Sequence, residues 1–211
     1  MPEIDRLKRS NGCFELDFVE RETTPEWAMK LGIRLHLAGL SLSNTVAELE
    51  RFGVDRCRST VHNWVQKAGL QPTEGESPER VAVDETVIQI DDQRYWLYAA
   101  VDPDTNEFLH VKLGTAQNLG ISEIFLGELR EKHDVSDAVF LVDGAQWLQE
   151  ACRRHGLRFQ HETHGNRNAI ERLYKELKRG TNQFATHFRN VEPATAETWL
   201  LAQAFCQNQL I

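Results

Sequence analysis

The chain has 211 residues, 41% hydrophobic and 27% charged, with 24 Lys and Arg against 32 Asp and Glu. That is an ordinary soluble composition, with room for one domain of moderate size and a small one. No apolar run is long enough to span a bilayer, and the four scattered cysteines (13, 57, 152 and 206) form no C-x-x-C pair, which argues against a zinc site or a disulfide framework.

The opening MPEIDRLKRSNG has no apolar signal-peptide core, which points to the cytoplasm. Only seven of the bases are lysine. An acidic, arginine-leaning surface suits very salty cytoplasm, where net charge maintains solubility. The formal charge of −8 therefore does not exclude a nucleic-acid partner. The local distribution of charge matters more.

In chain order, Pro25 suits a first helical position, and Trp27, Leu31, Leu35 and Ala38 follow at helical spacing. In residues 39–69, Val46, Leu49 and Phe52 form one apolar stripe, which "GVD" breaks. Val61, Trp64, Val65 and Ala68 form a second stripe. Two short helices joined at a glycine turn make a helix-turn-helix signature. With the second stripe inward, Ser59, His62, Asn63 and Gln66 point out. Asn and Gln can read adenine edges in a major groove, and Arg58 and Lys67 can meet phosphates. A plain helical hairpin is the other reading.

"QPTEGESPER" (71–80) holds almost nothing to bury and reads as a linker between residues 1–70 and 81–211. Beyond it, "RVAVDETVIQI" (80–90), "RYWLYAAV" (94–101) and "EFLHVKL" (107–113) read as an antiparallel meander. Ile121, Ile124, Phe125 and Leu129 mark a helix. "AVFLV" (138–142) is apolar on both faces, as in a buried parallel strand. Trp147, Leu148, Ala151 and Cys152 mark a further helix, and "LRFQ" (157–160) a short strand. Residues 168–179 read as a helix, and Pro193 opens a last one. The order βββαβαβαα predicts an α/β protein with a mixed sheet.

Asp84 lies inside the first strand, where a charge is costly unless paired or metal-bound. Asp143 ends the buried strand, where α/β sheets place ligand sites. If the first and fourth strands are neighbours, these two carboxylates need a cation between them. Glu171 on the following helix can complete a set suited to Mg²⁺ or Mn²⁺. Two such ions about 3.5–4 Å apart support in-line phosphoryl displacement. Each acid also has a plainer reading: Asp84 on an edge strand, Asp143 capping the next helix, Glu171 paired with Lys175 at i, i+4. His155, His161 and His164 form another conceivable metal trio. Residues 158–190 hold seven Arg or Lys against three Asp or Glu, a local excess of cations around Glu171.

These residues carry a resemblance. "GLSLSNTVAELERFGVDRCRSTVHNWV", "VAVDETVIQI", "YWLYAAVD", "FLVDGAQWL" and "HGNRNAIERLYKELKRGTNQF" resemble the DDE transposases of prokaryotic insertion sequences. In particular they resemble the insertion-sequence-6 family as found in halophilic archaea. The resemblance covers roughly residues 25–211. It implies a ribonuclease H-like core, a mixed five-stranded sheet in the order βββαβαβα, behind an N-terminal helix-turn-helix domain. It implies Asp84, Asp143 and Glu171 as the catalytic and metal-binding triad, with two Mg²⁺ or Mn²⁺ ions. Lys178, two turns beyond Glu171, would hold DNA, with Arg167, Arg172, Lys175 and Arg179 around it.

The implied partners are double-stranded DNA, as element ends and target, and further copies of the chain in a homodimer or larger assembly, with no membrane. One departure is that only 27 residues separate Asp143 from Glu171, fewer than is usual in the family. That leaves Glu162 and Glu176 as fallbacks. The competing readings are a DNA-binding regulator with an inactive catalytic domain, a ribonuclease H-like nuclease, and a metal-dependent phosphohydrolase.

Overall fold

The computed structural model describes residues 14–18, 24–161, 188 and 191–209. The predicted helix 168–179 lies outside these residues, and with it Glu171, Arg167, Arg172, Lys175, Lys178 and Arg179. The chain divides into two compact units between Leu70 and Gln71.

The first unit contains α1 (Glu26–Leu37), α2 (Leu42–Arg51) and α3 (Arg58–Lys67). Pro25 is the N-cap of α1 rather than its first helical residue, extended at φ −59° and ψ 136°. Ser41 caps α2, its Oγ accepting from the Asn44 amide at 3.1 Å. Gly53, at φ 76°, ends α2. There the Gly53 amide donates to the Glu50 carbonyl at 2.9 Å, and the Val54 amide to that of Leu49 at 3.0 Å. This turn needs a left-handed residue, which glycine supplies without strain. Ile33, Leu49, Val61, Trp64 and Val65 are fully buried. Gly32 makes room for the indole, since a Cβ there would lie 3.1 Å from Trp64 Cζ3.

The second unit is built on β1 (Arg80–Ile90), β2 (Gln93–Asp102), β3 (Glu107–Gly114), α4 (Leu119–Lys132), β4 (Val139–Val142), α5 (Gln146–Arg154), β5 (Arg158–His161) and α6 (Pro193–Asn208). The strands form one mixed sheet in the order β3-β2-β1-β4-β5. β1, β2 and β3 are antiparallel neighbours, whereas β4 runs parallel to β1 and β5 parallel to β4. Because side chains alternate along a strand, Val81 and Val83 of β1 lie on one face with Phe140 and Val142 of β4. That face packs on Phe125, Leu126 and Leu129 of α4 and on Leu148, Ala151 and Cys152 of α5.

β3 is an edge strand, and an open edge leaves backbone groups without partners. Helix α6 covers it with side chains. Asn208 Oδ1 accepts from the Phe108 amide at 2.8 Å, and Asn208 Nδ2 donates to the Phe108 carbonyl at 2.9 Å. Glu197 Oε1 accepts from the Leu113 amide at 2.9 Å.

Residues 71–79 bond closely to the connection between α4 and β4. The Gly75 amide donates to the Lys132 carbonyl, the Asp134 amide to that of Glu76, and the Val139 amide to that of Glu79. On the core face His110 lies against the Phe125 ring, with its Nε2 2.9 Å from Glu128 Oε2. Burial pushes its imidazole down to about 4, against the pull of the Glu128 hydrogen bond. His110 is therefore neutral at pH 7 and donates to Glu128 through Nε2–H. No helix among the described residues is long and apolar enough to cross a membrane.

Candidate active site

The ladder between β1 and β4 ends by pairing Ala82 with Leu141. Asp84 stands two residues beyond Ala82, and Asp143 two beyond Leu141. β4 stops at Val142 while β1 continues to Ile90. The two acids thus share a row where the parallel half of the sheet gives out, on strands about 4.8 Å apart. Both are half-buried. Alternation puts Asp84 on the face opposite Val81 and Val83. β1 is the middle strand of five, which removes the edge-strand reading of Asp84.

Asp84 Oδ1 accepts from the Glu85 amide at 2.9 Å. Asp143 Oδ1 accepts from the Ala145 amide at 2.8 Å, and Gln149 Nε2 donates to the Asp143 carbonyl at 3.1 Å. The N-cap of α5 is Ala145. Asp143 therefore shapes the turn into α5 from two residues upstream of the cap.

Two oxygen-donor carboxylates in one row, only partly exposed, have the chemistry that Mg²⁺ and Mn²⁺ prefer. Among the described residues no group of three His, Cys, Asp or Glu is placed to hold a metal ion. Glu171, the third expected ligand, lies outside them.

Sequence reasoning gave no role to Glu85. It follows Asp84 and so points to the other face, alongside Val83. Its Oε1 accepts from Gln117 Nε2 at 2.6 Å and from Trp147 Nε1 at 3.1 Å. Burial raises the Glu85 carboxyl above its ordinary value, these hydrogen bonds pull it back, and the charges of Asp84 and Asp143 push it up further. The available signal was the acidic pair Asp84–Glu85 in an apolar strand, which puts a carboxylate on each face of the sheet.

A family model described as a DDE domain, of the IS240 transposase type, matches residues 78–205. The chain belongs to this DDE-domain family. It is 30% identical over 158 residues to the uncharacterized protein MJ0017 of Methanocaldococcus jannaschii, covering 74% of this chain and 73% of that one. It is 38% identical over 50 residues to the uncharacterized protein aq_aa24 of Aquifex aeolicus, 24% of this chain and 41% of the relative. Among solved structures it is similar to the HTLV-2 integrase catalytic core domain in complex with magnesium, trimeric form, at 16% identity over 60% of this chain and 85% of that one, with a TM-score of 0.46. It is also similar to a chain of the simian T-cell lymphotropic virus intasome in complex with PP2A regulatory subunit B56 gamma. There the identity is 16% over 81% of this chain and 66% of that one, with a TM-score of 0.47.

His155 caps the C-terminal end of α5 and lies 3.2 Å from an Arg130 guanidinium nitrogen. His161 ends β5, paired with Val142, and its Nε2 lies 3.7 Å from where a Cβ on Gly144 would stand. His155 thus lies before β5 and against Gly127 of α4, whereas His161 lies at the far end of β5 and against Gly144, so the two are held apart, and His164 lies outside the described residues. On α3, Arg58, Ser59, Asn63 and Lys67 are exposed, and His62 and Gln66 half-buried. Val61, Trp64 and Val65 turn inward.

Proposed function

We propose that the chain is the transposase of an insertion sequence of the insertion-sequence-6 type, cutting element ends and joining them to target DNA. The observation that carries this reading is the row of Asp84 and Asp143 just beyond the last paired residues of β1 and β4, in a chain of the DDE-domain family. Asp84, Asp143 and Glu171 would hold two Mg²⁺ or Mn²⁺ ions. Bound there, such ions activate an attacking oxygen and stabilise a leaving one. The middle of the sheet holds Asp84, and the Asp143 turn is held by its bonds to Ala145 and Gln149.

The strand order and its mixed sense fit a ribonuclease H-like catalytic domain. In the reaction, water attacks the phosphodiester at an element end and a 3′-hydroxyl leaves. That hydroxyl then attacks a target phosphodiester and displaces a second 3′-oxygen, with no protein–DNA ester. Lys178 and Arg179, with Arg167, Arg172 and Lys175, would offset phosphate charge along the DNA. The α2–α3 pair would act as a helix-turn-helix in cytoplasmic DNA binding. Ser59, His62, Asn63 and Gln66 would face bases, and Arg58 and Lys67 phosphates. Bringing two ends together requires at least two copies of the chain.

The test is end cleavage. The purified chain, given DNA carrying the flanking inverted repeats and Mn²⁺, should release a 3′-hydroxyl end, and Asp84→Ala should abolish this while sparing end binding. If Asp84→Ala cleaved normally, the assignment would be wrong. If the wild-type chain bound ends but never nicked them, the regulator reading would replace it.

A further inference from the structure

We propose that Glu85 is a positioning residue: its hydrogen bonds to Trp147 and Gln117 hold the Asp143 turn at the correct distance from Asp84 for a divalent cation. This rests on the reading of Asp84 and Asp143 as ligands.

The β1–β4 pairing stops at Ala82 and Leu141, one row short of Val83 and Val142 and two short of the acids. At the level of Asp84, side chains carry the link instead. Glu85 is covalently next to Asp84. Its Oε1 accepts the Trp147 indole N–H from the first turn of α5 at 3.1 Å. The same turn carries Asp143 through the Ala145 amide and the Gln149 side chain. The chain of contacts is thus Asp84, Glu85, Trp147, α5, Asp143. Gln117, from the connection between β3 and α4, donates to the same Oε1 at 2.6 Å and fixes its position from a third element.

Two features favour support over direct ligation. Alternation places Glu85 on the face opposite Asp84. Both donors also converge on Oε1, while Oε2 is buried with no hydrogen-bond partner among the described residues. A carbonyl oxygen at that point would serve both donors as well as a carboxylate oxygen. Groups that orient ligands from behind commonly change metal affinity about 10- to 100-fold when removed.

The experiment measures Mn²⁺ binding to the full chain, without DNA, from the electron paramagnetic resonance signal of free Mn²⁺. It compares wild type with Glu85→Ala, Glu85→Gln and Trp147→Phe, each checked for native circular dichroism. Glu85→Ala and Trp147→Phe should weaken Mn²⁺ binding about tenfold, and Glu85→Gln should restore it to within about threefold of wild type. Trp147→Phe keeps the aromatic packing and loses only the donor, so it decides the matter if Glu85→Ala fails to fold. Cleavage by Trp147→Phe should recover at high Mn²⁺.

The proposal is overturned if Glu85→Gln loses as much affinity as Glu85→Ala, which would make the charge the active feature. It is equally overturned if Trp147→Phe binds like wild type, or if the wild-type chain binds no Mn²⁺. A wild-type chain that binds Mn²⁺ but never cleaves end DNA would sink the transposase reading alone, and the comparison of variants would still decide the role of Glu85.

Discussion

Asp143→Asn separates the structural work of Asp143 from its charge. The amide keeps an Oδ1 to accept from the Ala145 amide, so the turn into α5 survives. The negative charge beside Asp84 disappears. At about 5 Å and an effective dielectric near 20, two like charges repel by about 3 kcal/mol. Both acids are partly exposed, and solvent and salt reduce this to about 1 kcal/mol. Without metal, Asp143→Asn should therefore be more stable than wild type by about 1 kcal/mol, a rise in Tm of about 2–4 °C for a protein of this size. Asp143→Ala removes the same charge but also the turn hydrogen bond, worth about 1 kcal/mol, and should show no net gain. Mn²⁺ at about 100 times its Kd should raise the wild-type stability by about 2.7 kcal/mol and leave Asp143→Asn unmoved. Thermal melts with and without Mn²⁺, beside the end-cleavage assay, read all of this. A metal-free Asp143→Asn less stable than wild type, or one that still cleaves, would refute the pairing of the two carboxylates.

Other predictions come from the frame around the site. His110 is neutral when folded, pushed down to about 4 from an ordinary 6.5, so the unfolded chain binds the extra proton between those values. Stability attributable to His110 is complete above about pH 6.5 and is lost as pH falls toward 4, by about 2–3 kcal/mol at pH 4.5. Urea melts should show His110→Gln escaping this share of the acid loss, whereas parallel losses in both proteins would refute it. Asn208→Ala uncovers both backbone groups of Phe108 and should cost about 1–3 kcal/mol by chemical denaturation. Asn208→Asp keeps only the acceptor and should fall between. A cost near zero for Asn208→Ala would mean that water replaces the cover.

Much of the sheet was legible because its signals are local. "RVAVDETVIQI" is rich in β-branched residues and ends in a polar turn, and the strand is Arg80–Ile90 as read. "AVFLV" is apolar on both faces, and Val139–Val142 does lie between two parallel neighbours, β1 and β5. Other features left no local trace. The composition of residues 71–79 looks like a free connection, yet their backbone groups bond to the α4–β4 connection, and backbone bonding is indifferent to side-chain polarity. Three histidines spaced within ten residues suggested a cluster, but His155 caps the end of α5 before β5 begins, whereas His161 is the last residue of β5.

The same division holds at the site. The sequence by itself determined that one carboxylate lies within an apolar strand and another at the end of a second, because a charge among apolar neighbours is conspicuous in one dimension. It also put Asp84 and Glu85 on opposite faces, since alternation needs no partner strand. Only the tertiary structure decided what each face meets. β4 settles beside β1 and brings Asp143 into the row of Asp84. Glu85 finds Gln117 and Trp147, 32 and 62 residues away along the chain. No periodicity in the sequence records such partners, because the packing of helices onto the sheet, rather than spacing along the chain, sets the distance between them.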